Sequence, residues 1–269
     1  MSLFSKSYLV VDLSNLCYRL HHVHGPEKFP AEFVRWIARA RQKFPGRDHI
    51  YAVEGRGSEI RRRILPRYKT TRSHDPKAAE SIVTAVQLLH SVDSRVIKAK
   101  TGEADDAIAS WCHQLPEPRD VVVVTRDHDL WQIVGNGIVV MSGQPQDPHE
   151  VDRFVCRSIL GVEPEGVALL KAMLGDKSDN LIRTVPVKIR RGVVLAATSA
   201  KTPQGLRQGD FPEILPYIDA VSEQYRVVCV RRDLKVVETT GISAPQELHA
   251  KVKPHCTVQE CSVAARGNR

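Results

Sequence analysis

The acidic residues between positions 102 and 130 have the types and the spacing that a metal-dependent active site requires. Residues 102–106 read Gly-Glu-Ala-Asp-Asp and begin an amphipathic segment, whereas residues 121–124 are four valines, typical of a buried strand. The acids that flank these segments are Glu103, Asp105, Asp106, Asp127 and Asp129. Carboxylates repel one another unless a cation separates them, and a hard divalent metal is the usual cation. The stretch therefore predicts a metal site.

Four further acids follow the same pattern elsewhere in the chain. Asp12 ends the apolar run at 8–11, and Glu54 follows the run at 49–53, while Asp176 and Asp179 belong to a later, helical part. In parallel sheets built from alternating strands and helices, ligands bind beyond the carboxyl ends of the strands. We therefore expect the acids from both parts of the chain to close one site.

The alternation of strand and helix patterns predicts an α/β fold with a parallel, doubly wound central sheet. Strands are predicted at residues 8–12, 49–54, 95–99, 121–125 and 138–141. Helices are predicted at 14–22, 31–44, 76–90, 151–160, 164–174, 191–199 and 214–226. The remaining predictions are a loop at 22–30, a mobile loop at 201–209 and a short strand within 227–237.

The composition fits a basic cytoplasmic protein with an anionic partner. The 269 residues carry a formal charge of +8, and a basic surface around an acidic pocket suits nucleic acid, although charge alone fits a plain basic protein equally well. No segment approaches the roughly 20 apolar residues that span a bilayer, and no signal peptide is apparent, so we expect no membrane contact. Near His255, Cys256 and Cys261, free thiols are favoured over a zinc site.

Carboxylates in this number can hold two divalent ions. Two such ions about 3.5–4 Å apart can clamp the attacking and the leaving oxygen of a phosphodiester. Magnesium keeps several of its waters, one of which can become the nucleophile. The acids therefore predict phosphodiester chemistry on a polyanion.

Five motifs resemble, in order and spacing, those of the structure-specific 5′-nucleases, the family of the 5′-nuclease domain of bacterial DNA polymerase I and the flap endonucleases. The resemblance covers about residues 8–200 and is greatest to stand-alone bacterial or bacteriophage members. The motifs are Asp12-Leu-Ser-Asn15, Leu65-Pro66-x-Tyr68-Lys69-x-x-Arg72, residues 102–106, Asp127-His128-Asp129-Leu130-x-Gln132 and Gly175-Asp176-x-x-Asp179-Asn180.

The resemblance implies a 5′-nuclease, with 5′-flap endonuclease and 5′-3′ exonuclease action in DNA replication. It would depend on two Mg²⁺ ions, with Mn²⁺ as a substitute, and cut DNA near single-strand/duplex junctions. Its substrates would be flaps, nicked duplexes and RNA-primed duplexes, and the enzyme would be a monomer, in the host cytoplasm if phage-encoded. Lys69 and Arg72 would contact the scissile phosphate from a helical arch. The other DNA-binding candidates are Arg61, Arg62, Tyr68, Lys188, Arg190 and Arg191.

The resemblance also implies an organisation in three parts. Residues 1–148 would be a PIN-like nuclease core, with the basic arch at about 55–80. Residues 149–238 would be a helical DNA-binding region with a helix-hairpin-helix (helix–three-turn–helix) element, and residues 239–269 a loosely ordered tail.

Two departures from the family pattern bear on these expectations. Glu54 stands where Asp is usual, which keeps the charge but moves the carboxylate oxygens. The hairpin turn reads Val185-Pro186-Val187-Lys188 and lacks the glycines that allow a close backbone approach, which puts the family's potassium ion in doubt. Basic side chains at the turn can replace backbone contacts, because phosphate binding is largely electrostatic.

Other functions remain open from the sequence. A PIN-type ribonuclease shares the sheet and the acids but not the hairpin after the Gly-Asp-x-x-Asp motif. A protein that binds flaps or other DNA with weak or no catalysis is the alternative of a different class. A HAD-type phosphatase would need a second Asp at position 14, where this chain has Ser14.

Overall fold

One mixed sheet organises the protein. The computed structural model describes residues 6–72, 75–92, 94–117, 119–144 and 147–239. Its strands are β1 Ser7–Asp12, β2 Asp48–Ala52, β3 Arg95–Ala99, β4 Asp120–Val124, β5 Ile138–Gln144, β6 Asp147–Val151 and β7 Val236–Glu238. They lie in the order β6-β5-β4-β1-β2-β3-β7. The five central strands are parallel, as predicted, while β6 and β7 pair antiparallel at the two edges.

The register of the central strands brings their carboxyl ends to one edge. Asp12 of β1 lies beside Ala52 of β2, and Val11 lies beside Val124 of β4. Strands that are buried on both faces need apolar side chains throughout, which the runs of valine and isoleucine supply. The acids that follow these strands consequently meet at the same edge.

Helices cover both faces of the sheet, as the doubly wound pattern predicts. They are α1 Leu13–Lys43, α2 Gly57–Ile64, α3 Pro76–His90, α4 Ala104–Gln114, α5 Arg153–Leu160, α6 Val167–Leu174, α7 Arg191–Ala197, α8 Pro203–Gln208 and α9 Ile218–Val228. Phe33 of α1 and Leu89 of α3 pack against one face of the sheet. Ile108 of α4 and Leu169 of α6 belong to the core on the other face.

The predicted loop at 22–30 is wrong, because α1 continues through it with a single break. Gly25 has φ 76° and ψ 167°, values outside the helical region, and helical structure resumes at once. Pro26 is tolerated there because the first turn of a helix has no need of its N–H. Phe29 is buried and stacks on Phe33, with ring centroids 5.7 Å apart. Tertiary burial thus overrides the Gly-Pro signal.

Two other segments differ from the prediction. Residue 151 ends strand β6, and the helix predicted from it begins at Arg153. The predicted mobile loop at 201–209 contains α8, where the Thr202 side chain accepts the Gly205 N–H at 3.1 Å and Leu206 is buried. The predicted strand within 227–237 is present as β7. The predicted loose tail, with its cysteines, lies outside the described residues from position 240 onward.

One apolar cluster includes Val10 and Val123 of the sheet together with Leu169 and Val221 of the later helices. The predicted division of the chain into a nuclease core and a helical region at residue 148 remains a prediction. None of the helices within the described residues is long and apolar enough to cross a bilayer.

Gln224 of α9 connects three segments of the later half. Its side chain is fully buried and donates to the carbonyls of Ala172 and Ile182 at 2.9 and 2.8 Å. Its oxygen accepts the Ile182 N–H at 3.0 Å and the Arg67 guanidinium at 2.9 Å. Arg67 follows α2, so Gln224 also fixes the segment after α2 to the helices.

Gln224→Ala should lower the free energy of unfolding by about 2 kcal/mol, because it leaves several buried polar groups without partners. Chemical denaturation measured by circular dichroism tests this value. The matched control is Glu223→Ala at the exposed neighbouring position, which should change stability little. Equal stability of the two variants would show that the network contributes nothing.

Candidate active site

Asp12 and Asp127 lie at adjacent strand ends and share one hydroxyl. Thr125 Oγ1 donates to Asp12 Oδ2 at 3.0 Å and accepts the Asp127 N–H at the same distance. Asp12 Oδ1 also accepts the Asn15 N–H and thereby caps α1. Asp127 Oδ1 accepts the Asp129 N–H at 2.9 Å. Neutral donors therefore hold both carboxylates in place.

The start of α4 concentrates three carboxylates at a helix N-terminus, where the helix dipole favours negative charge. Glu103, Asp105 and Asp106 are all buried. Glu54 lies exposed at the rim, and its Oε2 accepts the Ala104 N–H at 3.1 Å. Glu54 therefore caps the same helix from the end of β2.

Asp106 uses both of its oxygens within the protein. Oδ2 accepts the Glu103 N–H at 3.0 Å. Oδ1 accepts the Arg231 N–H at 2.8 Å and Arg61 Nη2 at 2.7 Å. These contacts fix the α4 N-terminus to the chain that leads to β7.

Arg61 of α2 supplies the positive charge that these acids need. Arg61 is only 5% exposed. Its guanidinium pairs with Glu103, Asp105 and Asp106, and it donates a hydrogen bond to the Tyr68 hydroxyl at 3.2 Å. Tyr68 is fully buried and donates in turn to Glu103 at 2.8 Å. Both side chains face the acids, and their predicted DNA contacts remain predictions.

A tight turn places Lys69 among the acids. Lys69 has φ 53°, and its Nζ lies 2.8 Å from Glu103 Oε2 and 4.8 Å from the Tyr68 ring centroid. Burial alone would raise the pKa of Glu103, yet Arg61 and Lys69 hold it at about 2. Glu103 therefore stays ionised and orients the Lys69 ammonium.

The same turn docks on the helical half. Arg72 Nη2 lies 2.7 Å from Asp179 Oδ1. Thr71 donates its N–H to Asn180 Oδ1 at 3.1 Å, and Lys69 donates its N–H to the Asp179 carbonyl. The Tyr-Lys-x-x-Arg motif and the Gly-Asp-x-x-Asp-Asn motif thus form one structural unit.

Lys171 joins the two remaining acids. It comes from α6, and its Nζ lies 2.5 Å from Asp129 Oδ1 and 2.9 Å from Asp176 Oδ2. The Asp176 side chain also accepts the Ser178 N–H and hydroxyl. A protein cation therefore bridges the end of β4 and the segment after α6.

Electrostatic repulsion links all the predicted acids into one series. Each acid in the series repels its neighbours. The order of the series is Asp176, Asp179, Asp129, Asp127, Asp12, Glu54, Glu103, Asp105 and Asp106. Burial, with the charge of Asp127 in addition, raises the pKa of Asp12 to about 6. Burial also raises the pKa of Asp129 to about 6. Burial and mutual repulsion therefore both make the charged forms of these two carboxyl groups less favourable.

The donor set fits a hard divalent cation in its chemistry, since every candidate ligand is a carboxylate oxygen. Burial raises the pKa of Asp105 and of Asp179 above the usual range, which a bound cation would reverse. No three acidic, His or Cys side chains of the described chain already converge to metal-binding geometry. Lysine and arginine side chains stand between several of the carboxylates instead.

The remaining predicted DNA contacts lie at the surface. Arg62 of α2 is exposed, and so are Lys188, Arg190 and Arg191 around the start of α7. The turn before α7 is closed by the Ile189 N–H, which donates to the Pro186 carbonyl at 3.1 Å. Val187 is 81% exposed at its tip. The hairpin thus presents side chains, and the roles of these residues remain predictions.

Sequence reasoning missed the roles of Lys171, Thr125 and Asn180. The signal for Lys171 was present, because it is the one charged residue in the otherwise apolar segment Val-Ala-Leu-Leu-Lys-Ala-Met-Leu. A lone lysine in an apolar helix needs a buried partner. For Thr125 and Asn180 the sequence carries only hydrogen-bonding capacity, which does not identify a partner.

Two known proteins are similar to this chain in sequence. DNA polymerase I of Caldicellulosiruptor bescii is 29% identical over 136 residues, which is 48% of this chain and 16% of the polymerase. A 5′-3′ exonuclease of Mycoplasmopsis pulmonis is 24% identical over 184 residues, covering 66% of this chain and 61% of the exonuclease. The chain therefore spans a small part of the first relative and less than two thirds of the second.

A solved structure shares the fold. The bacteriophage T5 flap endonuclease, in a pseudo-enzyme–product complex with DNA and metal ions, superposes with a TM-score of 0.66 at 18% identity. The match covers 84% of this chain and 89% of that one. The family model of the 5′-3′ exonuclease N-terminal resolvase-like domain matches residues 7–157, more than half of this chain. The chain therefore belongs to the 5′-3′ exonuclease family.

Proposed function

We propose that the protein is a magnesium-dependent 5′-nuclease that hydrolyses phosphodiesters near single-strand/duplex junctions. One observation carries the proposal: the turn with Lys69 and Arg72 docks directly on the acidic pocket. A phosphate that reaches these two cations also reaches the carboxylates. Such an arrangement suits phosphodiester hydrolysis, which needs both metal ligands and charge stabilisation.

The proposed ligands of two Mg²⁺ ions are carboxylates from both halves of the chain. When bound, the ions would supply an activated water and stabilise the charge of the leaving oxygen. Asp12 and Asp127 are oriented by Thr125, and Asp105 lies at the N-terminus of α4. We assign Asp106 a positioning role in this set, because it is paired with the buried Arg61 guanidinium and also accepts two backbone N–H groups.

Lys69 and Arg72 would stabilise the phosphate directly. The Lys69 side chain is 13% exposed, so water is largely excluded around its ammonium group, whereas Arg72 is half exposed. A cation in a site with little water interacts more strongly with developing charge than one in solution. Arg61 and Tyr68 would act through Glu103, which orients Lys69.

The proposed substrate is DNA with a 5′ end, including flaps and RNA-primed duplexes. The likeness to the T5 flap endonuclease, whose complex contains DNA and metal ions, supports this choice. The exposed basic side chains at the hairpin, Lys188, Arg190 and Arg191, support the proposal that a duplex binds there through side-chain charge.

Substrate mapping tests the function as a whole. The protein is incubated with 5′-flap, nicked, gapped and RNA-primed duplexes, with and without magnesium, and the cuts are mapped. Magnesium-dependent cuts near the junction are expected. Cleavage confined to single-stranded RNA would support a ribonuclease instead, and flap binding without cleavage would support a DNA-binding protein.

Asp127→Asn should abolish cleavage of the flap while DNA affinity is retained. The amide oxygen can still accept the Asp129 N–H, so the fold is preserved, but a charged ligand is lost. Single-turnover cleavage and fluorescence anisotropy measure the two properties. Asp210→Asn, at an exposed position, is the control. Retained turnover in magnesium would refute the two-metal site.

Lys69→Met should lower kcat on the order of 10²-fold with little change in KM, as loss of a transition-state donor typically does. Methionine keeps the apolar stem over the Tyr68 ring. Steady-state kinetics on a flap substrate test this split. Lys28→Met, at an exposed position of α1, should leave kcat unchanged. If Lys69→Met alters affinity alone, Lys69 is a surface contact.

The hairpin prediction concerns salt dependence. Replacing Lys188, Arg190 and Arg191 by Ala should reduce the slope of log affinity against log salt by about 2 to 3, because each phosphate contact releases counterions. Duplex binding measured between low and moderate salt gives the slope.

A control with the same loss of charge uses exposed residues of α1, namely Lys28, Arg41 and Lys43. It should leave the slope near that of the wild type. Equal slopes in both triple variants would place the duplex away from the hairpin.

A further inference from the structure

Lys171 places an ammonium group inside the acidic pocket. Its side chain is 17% exposed, and its two partners, Asp129 and Asp176, are 4% and 19% exposed. Removing one partner of a buried ion pair leaves an uncompensated charge, which is strongly unfavourable. Nothing in the packing of α6 requires a charge at this position, because its other side chains are apolar. The ion pairs with Asp129 and Asp176 therefore explain why a lysine is present at position 171.

The lysine uses the same oxygens that a divalent ion would need. Its Nζ contacts Oδ1 of Asp129 and Oδ2 of Asp176 and so joins the two halves of the pocket. A divalent ion between these carboxylates would stand within a few ångströms of the ammonium, where like charges repel strongly. The two cations therefore compete for this pair.

The opposite side of the pocket differs in this respect. Asp12 accepts hydrogen bonds from the Thr125 hydroxyl and the Asn15 N–H, and Asp127 accepts one from the Asp129 N–H, all of which are neutral donors. Such donors orient a carboxylate without neutralising its charge, although Lys69 attracts Asp12 and Arg72 attracts Asp127 through space. A divalent ion can bind there without displacing a protein cation.

We propose that Lys171 is an exchangeable internal counter-ion that keeps Asp129 and Asp176 from binding a second divalent ion in the DNA-free protein. The first ion binds on the side of Asp12 and Asp127, and the second binds after the Lys171 ammonium has moved away. This inference rests on the proposed divalent-metal function and adds an order of occupancy to it. Lys171 is thus a positioning residue for the metal ligands.

Manganese titration of the DNA-free protein tests the proposal without any activity measurement. Electron paramagnetic resonance counts free Mn²⁺ as the protein is titrated. The wild type should bind one ion tightly and a second weakly. Lys171→Met should bind the second ion about tenfold tighter or more, because the competing charge is gone. Lys171→Arg, which keeps the charge, should resemble the wild type.

Lys177→Met is the matched control, since it removes the same charge from an exposed position of the same half. Wild-type-like binding is expected. Lys171→Met should also unfold at a lower temperature than the wild type in EDTA, and Mn²⁺ should raise its melting temperature more than that of the wild type. Equal Mn²⁺ binding by Lys171→Met and the wild type would overturn the proposal while leaving the metal site intact.

Chemical labelling of the wild type avoids any dependence on a variant that folds poorly. Reductive methylation followed by mass spectrometry should label Lys171 slowly in EDTA and faster in saturating Mg²⁺. Labelling that does not change would refute the exchange. If the wild type binds no divalent ion in the titration, the proposed metal-dependent function itself fails, which is a distinct outcome.

Discussion

The buried guanidinium of Arg61 is the interaction on which the acidic site depends. It lies against three carboxylates at the start of α4, where burial would otherwise oppose their charges. Breaking a buried pair by removing one partner typically costs about 3–5 kcal/mol, because the remaining charge is left uncompensated. Arg61 also connects α2 to α4, so the same contact sets the charge balance and the position of α2.

The other internal cations extend this principle to the rest of the pocket. Lys69 pairs with Glu103, Arg72 with Asp179, and Lys171 with Asp129 and Asp176. They come from outside the sheet, whereas most of the acids follow its strands. The acidic site therefore forms only where α2, the turn after it and the later helices close over the sheet edge, and protein cations hold its carboxylates in place.

The sequence predicted the parallel sheet, because buried parallel strands have a strong apolar signature. It also predicted that acids follow the carboxyl ends of these strands, where ligands bind in such sheets, while their role as metal ligands remains a prediction. It failed where tertiary contacts decide. In the sequence, Arg61 looks like one more exposed basic residue in a basic stretch. Only the structure shows that it is buried and that its partners are acids. The Gly-Pro at position 25 predicts a loop, yet packing of Phe29 keeps the segment helical on both sides. Helix and loop propensities depend on neighbouring residues in the sequence, whereas the burial of Arg61 and of Phe29 depends on residues that are distant in the sequence.

The distribution of site residues also bears on the division of the chain at residue 148. The family match ends at residue 157, before α6 begins. Asp129 belongs to the sheet half and is buried, while its counter-ion Lys171 comes from the helical half. A sheet half without α6 would leave that carboxylate buried and uncompensated, which is unfavourable in a medium of low dielectric. The helical half therefore supplies a counter-ion that the buried acids of the sheet half need, in addition to presenting a basic hairpin. The charges of the two halves balance only when both are present.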